Sequence, residues 1–123
     1  MLEAFRHIVH ATRHSIAGFT YLLRTERAAR IELVALAGAF VWLTLLGRGA
    51  SDFLILIIIA CVVFAVEALN TAIETIVDKI SPEHSEFGKN AKDLGSSAVL
   101  CVLVGAGAFI AFVTADHMGL IIL

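Results

Sequence analysis

Charge is scarce in this chain. Lysine, arginine, aspartate and glutamate supply 16% of its 123 residues and hydrophobic residues 59%, where soluble domains carry about 25% charged residues. With a mean hydropathy of +0.92, that scarcity excludes a solvated globule and a disordered chain. The formal net charge of -2 leaves no basic excess for a phosphate backbone, so nucleic acid is excluded as a partner. Cysteine is limited to Cys61 and Cys101, each deep in an apolar run, and neither number nor spacing supports a zinc site or a disulfide framework. Proline occurs once, as Pro82 after Ser81, and marks a turn. A secretory signal is not expected, because Arg6, His7, His10, Arg13 and His14 interrupt the apolar residues of the opening segment. The usual nucleotide signatures are missing too: there is no G-x-x-x-x-G-K-[ST] loop and no H-R-D or D-F-G set. Gly105-Ala106-Gly107-Ala108 lies inside an apolar run and reads as small-residue helix packing.

What is present are three apolar runs behind an amphipathic opening. The runs cover residues 33–46, 53–66 and 94–115. The third has no charge over about 33 Å of helix, enough to cross a hydrocarbon core of about 30 Å. The first two become long enough if their helices continue into the flanking polar residues. Continuous rather than alternating runs favour helices over a barrel. The expected fold is therefore all-α, a single membrane-embedded domain over residues 1–123, with spans near 28–47, 52–80 and 89–116. In the opening segment, at about 3–24, Phe5, Ile8, Val9, Thr12, Ile16, Phe19 and Leu23 recur every three or four residues, while Arg6, His10, Arg13 and Arg24 take the other face. Such a helix lies in the membrane interface or packs on the protein's own helices.

Polar residues break the second run in a regular way. Glu67, Asn70, Glu74 and Asp78 are spaced 3, 4 and 4, which puts them on one helix face. A carboxylate near the bilayer centre costs about 2.5–3.5 kcal/mol on insertion scales, so Glu67 asks for a function, while Asp78 reads as a solvated helix end. Glu26, Arg30 and Glu32 precede the first run, and Lys92, Asp93, Ser96 and Ser97 open the third. All of them gather at one level of the membrane. Paired carboxylates suit magnesium bridging to phosphate, a lysine suits the phosphate itself, and a more buried carboxylate can accept a proton from a hydroxyl at headgroup level. Together these parts point to phosphoryl transfer from a soluble donor to a membrane alcohol. A small proton-coupled transporter, with Glu67 as relay, is the rival from another class, but it leaves Lys92, Asp93 and the other carboxylates without a task.

The string Glu67-Ala68-Leu69-Asn70-Thr71-Ala72-Ile73-Glu74, then Val77-Asp78, then Ala91-Lys92-Asp93-Leu94-Gly95-Ser96-Ser97-Ala98-Val99, closely resembles the small integral-membrane diacylglycerol kinases of bacteria and the undecaprenol kinases of the same family. Thr25-Glu26-Arg27 fits as well, and the resemblance runs through essentially the whole chain. It implies three transmembrane helices behind an interfacial helix, a homotrimer, and direct phosphorylation of a lipid hydroxyl by ATP with magnesium. By matching position it makes Glu67 the proton acceptor with Asn70 beside it, and Glu26 and Glu74 the magnesium ligands. Lys92 and Asp93 become ATP contacts, with Glu83, His84 and Ser85 along the nucleotide. His7 and His14 stand where the family sets an arginine and a tyrosine against ATP. Arg30, Glu32 and Ser96 fall where the lipid site is lined. Diacylglycerol is the expected substrate, with undecaprenol as the alternative.

Eight of the nine basic residues flank the opening segment and the second connection, and only Arg48 lies in the first. The basic side faces the cytoplasm, so the expected location is the bacterial cytoplasmic membrane with the N-terminus inside and the C-terminus outside. In a protein with Cys61 and Cys101 replaced by serine, a membrane-impermeant thiol reagent applied to intact cells should label a cysteine placed at Ser51 and spare one placed at Ser85. Labelling at Ser85 would reverse the orientation.

Overall fold

The computed structural model describes residues 1–121, which form four α-helices: α1 (Leu2–Thr25), α2 (Arg27–Leu45), α3 (Ala50–Ile80) and α4 (Glu86–His117). The last three are long and apolar enough to cross a membrane. At 1.5 Å per residue they measure about 28, 46 and 48 Å. Large side chains such as Ile31, Val34, Leu54, Ile58, Leu100 and Val104 are exposed on their outer faces, as expected of helices solvated by lipid rather than water. The chain is a multi-pass membrane protein.

Each connection has a local cause. Between α1 and α2 one residue, Glu26, leaves the helical region (φ -98, ψ 117) while its amide still bonds Leu22 O at 2.9 Å. Arg30 Nη1 then donates to Leu23 O at 2.9 Å and Arg24 O at 3.1 Å, satisfying carbonyls that the end of α1 leaves unpaired. Between α2 and α3 the chain reverses through Gly47, whose φ of 64 lies in the left-handed region that a side chain disfavours. Between α3 and α4, Ser85 Oγ accepts from Gly88 N at 3.0 Å and also bonds Ser81 Oγ at 2.6 Å. That cap starts α4 at Glu86, ahead of the start near 89 expected from hydropathy alone.

The core lies between α2, α3 and α4. Leu36, Leu43, Leu56 and Val63 are buried, with Phe40, Phe53, Phe64, Val102 and Phe109 packed around them. In lipid such contacts act by close packing, since the tails are as apolar as the core. The contact between α3 and α4 is the most extensive, and α1 touches the bundle only near its end. There Leu22 is buried and Phe19 meets Phe64 edge-on, ring centroids 5.3 Å apart. Phe5, Ile8 and Ile16 remain exposed. The stretch 105–108 does not close on a neighbour within this chain. Gly105 and Gly107 have open space beside them, and Ala106 and Gly107 instead border an apolar cavity.

At the membrane face away from Glu26 the helices are tied together by Arg48. It pairs with Asp52 of α3 at 2.7 Å and with Asp116 of α4 at 2.6 Å, and nearby Trp42 Nε1 donates to Thr114 Oγ1 at 2.9 Å. These contacts join the ends of three helices in a network, which is where ion pairs contribute most. Arg48→Met should lower the thermal unfolding midpoint in lipid–detergent micelles, whereas Arg13→Met, on an exposed face of α1, should leave it unchanged.

Candidate functional site

The stripe on α3 runs from the protein interior to its surface. Glu67 is 4% exposed; Asn70 and Glu74 are half-buried, and Asp78 is exposed. Asn70 Nδ2 donates to Glu74 Oε1 at 3.4 Å, a contact at the outer limit of a hydrogen bond. From α2, Glu32 enters beside Glu67 and is also buried. Glu32 Oε2, Asn70 Oδ1 and Thr71 Oγ1 are buried with no hydrogen-bond partner. Buried polar atoms are nearly always paired, yet these three face different neighbours: Glu32 the apolar space toward Leu36 and Leu56, Asn70 Oδ1 the backbone of α4 at Gly95, and Thr71 the end of α1.

Farther out, where α3 passes into α4, there is a cavity of about 300 Å³. It gathers Glu83, His84, Ser85, Lys92 and Asp93 together with Asp78 and Lys89. Lys92 Nζ bonds Asp78 Oδ1 at 2.5 Å, with Glu74 adding attraction from the next turn, and Lys89 bonds Asp93 Oδ2 at 2.5 Å. Both lysines are thus held at the cavity by carboxylates that a bound phosphate could displace. The sequence reading had Asp78 as a solvated helix end, which it is, but without its partner, and did not single out Lys89. Lys89 and Asp93 stand four apart on a helix, a signal that was available. The partner of Asp78 lies on another helix and left no such trace.

Other residues singled out from the sequence lie apart from this cavity. His7 opens onto a separate depression on α1 with Glu3, Arg6 and His10, and His14 is exposed on the same helix. Glu26 occupies the α1–α2 elbow, half-buried. Arg30 is engaged with the end of α1, Ser96 is exposed on α4, and Glu32 heads an apolar cavity of about 320 Å³ lined by Leu36, Leu56 and Ile110. Among the described residues no three histidine, cysteine, aspartate or glutamate side chains converge on one point. Cys61 and Cys101 are free thiols on the exposed surface.

A buried carboxyl pair, an apolar cavity running from Glu32 into the middle of a three-span bundle and a charged cavity at the α3–α4 connection define a membrane-embedded enzyme working between lipid and water. The family model for prokaryotic diacylglycerol kinase matches residues 13–114, and the chain belongs to that family. It is 44% identical over 108 residues to a diacylglycerol kinase of a Sinorhizobium species, covering 88% of this chain and 78% of the relative. It is 38% identical over 102 residues to that of Escherichia coli, covering 83% and 84%. To that of Haemophilus influenzae it is 35% identical over 102 residues, covering 82% and 86%.

Ser85 already has a structural task, since its hydroxyl caps α4. Ser85→Ala should cost about 0.5–2 kcal/mol of stability, the usual range for a lost N-cap, as read by unfolding in mixed micelles. Ser85→Asp, which can cap equally well, should restore it.

Proposed function

We propose that the protein is an ATP- and magnesium-dependent lipid kinase that phosphorylates the primary hydroxyl of diacylglycerol to give phosphatidic acid. The observation that carries this reading is the α3 stripe, which joins buried Glu67 to a charged cavity holding Lys92 and Asp93. Family membership supports the same reading. In the proposed reaction the lipid hydroxyl enters from the bilayer beside Glu67, and ATP enters from the cytoplasm beside Lys92. Glu67 takes the hydroxyl proton as the oxygen attacks the γ-phosphorus. The bond from that phosphorus to the β–γ bridging oxygen breaks, and ADP leaves with the electron pair. The work of the protein is mainly positioning and charge neutralisation, as for phosphoryl transfer in general.

Lys92 is proposed to exchange Asp78 for phosphate oxygens, a charge-assisted contact that favours the bound nucleotide. Asp93, Glu83, His84 and Ser85 shape the rest of that cavity, while His7 and His14 are proposed to meet the nucleotide from α1. Glu32, Arg30 and Ser96 are proposed to contact the lipid. Glu26 and Glu74 would hold magnesium, and they fit it chemically. Both offer hard carboxylate oxygens, and Glu74 has one oxygen fixed by Asn70 and the other without a partner among the described residues. When bound, magnesium would supply neutralisation of the phosphate charge.

The enzyme is proposed to lie in the bacterial cytoplasmic membrane with its N-terminus and the α3–α4 connection in the cytoplasm, its C-terminus outside and α1 in the interface. A homotrimer would cover the open flank of α4 along Gly105 and Gly107. The test is phosphate transfer from ATP by purified protein, with diacylglycerol and undecaprenol assayed in parallel. Diacylglycerol should be the better substrate. Glu67→Gln, which keeps the shape and removes the base, should lower kcat by about 10²–10⁴ and leave nucleotide affinity near wild type. A loss confined to KM would mean uniform binding, and near-wild-type turnover would remove Glu67 from the role of base.

A further inference from the structure

Inside α4, across from the stripe on α3, Gly95 is buried. A Cβ built on it would overlap Asn70 Oδ1, lie 3.3 Å from Asn70 Cγ and 3.7 Å from Ile73 Cδ1. The Asn70 amide therefore lies against bare backbone of α4, in space that any side chain at 95 would take. Other helical glycines differ: Gly18, Gly38, Gly105 and Gly107 have nothing within 4 Å. Gly88 is also close to its neighbours, but these are Val77 and the capping Ser85. Only at Gly95 does the missing side chain make room for an amide of the α3 stripe.

We propose that Gly95 is a positioning residue for the phosphoryl-transfer site, setting the orientation of the Asn70 amide and, through it, the Glu74 carboxylate. Asn70 Oδ1 is turned toward Gly95 and has no hydrogen-bond partner, which leaves Nδ2 as the group presented to Glu74. The Nδ2–Oε1 separation of 3.4 Å has no slack, because hydrogen bonds weaken rapidly beyond that distance. A methyl at 95 must push the amide aside, and the push detaches Glu74. The proposal rests on the reading of Glu74 and Asn70 as parts of a kinase site. Its structural half, the coupling of Gly95 to Asn70, stands independently of that reading.

The experiment is a double-mutant cycle of wild type, Gly95→Ala, Asn70→Ala and the double variant. In mixed micelles the unfolding midpoint reads the contact without any assay of activity. Alanine inside a helix is ordinarily favoured over glycine, yet Gly95→Ala should fail to raise the midpoint, because the Asn70 side chain must turn to admit the methyl. In the Asn70→Ala background, where the amide is gone, the same substitution should raise it. In the lipid kinase assay Gly95→Ala should lower kcat by about tenfold or more, since small misplacements are costly in positioned reactions. It should also raise the magnesium concentration for half-maximal rate, and add no further loss on top of Asn70→Ala. Additive effects on midpoint and rate would overturn the proposal and leave Gly95 a helix-spacing residue. A cycle coupled in stability, with a kcat for Gly95→Ala within twofold of wild type, would overturn the positioning role alone. Absence of lipid phosphorylation by the wild type would sink the proposed function and with it the positioning role, while the stability cycle would still decide the contact.

Discussion

The structure depends on a mismatch of lengths. A 31-residue α3 rises about 46 Å, and the hydrocarbon it crosses is about 30 Å thick. Roughly ten residues must therefore emerge from the apolar layer, and they do so at the end where the helix turns polar. Counted from Ala50, Glu67 lies about 26 Å along the axis, Glu74 about 36 Å and Asp78 about 42 Å. One helix face thus samples hydrocarbon, headgroup and water within four polar residues. Because α4 runs back alongside α3 and is of similar length, Lys92 and Asp93 arrive at the same level. Only the outer wall of the charged cavity, at Glu83, His84 and Ser85, comes from a connection. Its other charged residues stand on helices, and their depth is set by residue count.

That geometry also decides which charges are costly. Near the surface the pairs Lys92–Asp78 and Lys89–Asp93 are substantially exposed, and exposed ion pairs contribute about 0–1 kcal/mol. They hold the lysines in place yet yield readily to a more highly charged anion. Deeper in, Glu32 and Glu67 are both buried among the helices. A gradient thus runs from exposed ion pairs at the surface to a secluded pair of carboxyls within the bundle.

Much of this architecture was visible in the amino-acid order, and for identifiable reasons. Three apolar runs without interruption force helices in lipid, and the spacing of Glu67, Asn70, Glu74 and Asp78 fixes a common face without knowledge of the partner helices. What could not be read were contacts that depend on the register between helices. Glu32 was expected among lipid-lining residues, and its approach to Glu67 depends on how α2 slides along α3. Asp78 read as a helix end in water because its partner lies 14 residues away across a turn. Gly95 was one letter in a family string until the crossing of α3 and α4 gave it a neighbour. On α1 the stripe residue Phe19 meets Phe64 and Leu22, outside the stripe, is the buried residue, while Phe5, Ile8 and Ile16 stay exposed.

The Arg48 network has a consequence for how the chain enters the membrane. On the proposed orientation, the turn between α2 and α3 is the part of this helical hairpin that must be translocated. An isolated arginine and an isolated aspartate would each resist that passage by about 2.5–3.5 kcal/mol at mid-bilayer. Arg48 and Asp52 stand four residues apart, close enough to travel as a neutral pair before α4 exists. Asp116 joins only after the last helix has crossed. The same arginine that ties the finished bundle together thus first eases the passage of its own turn, then receives the end of α4 on the far side.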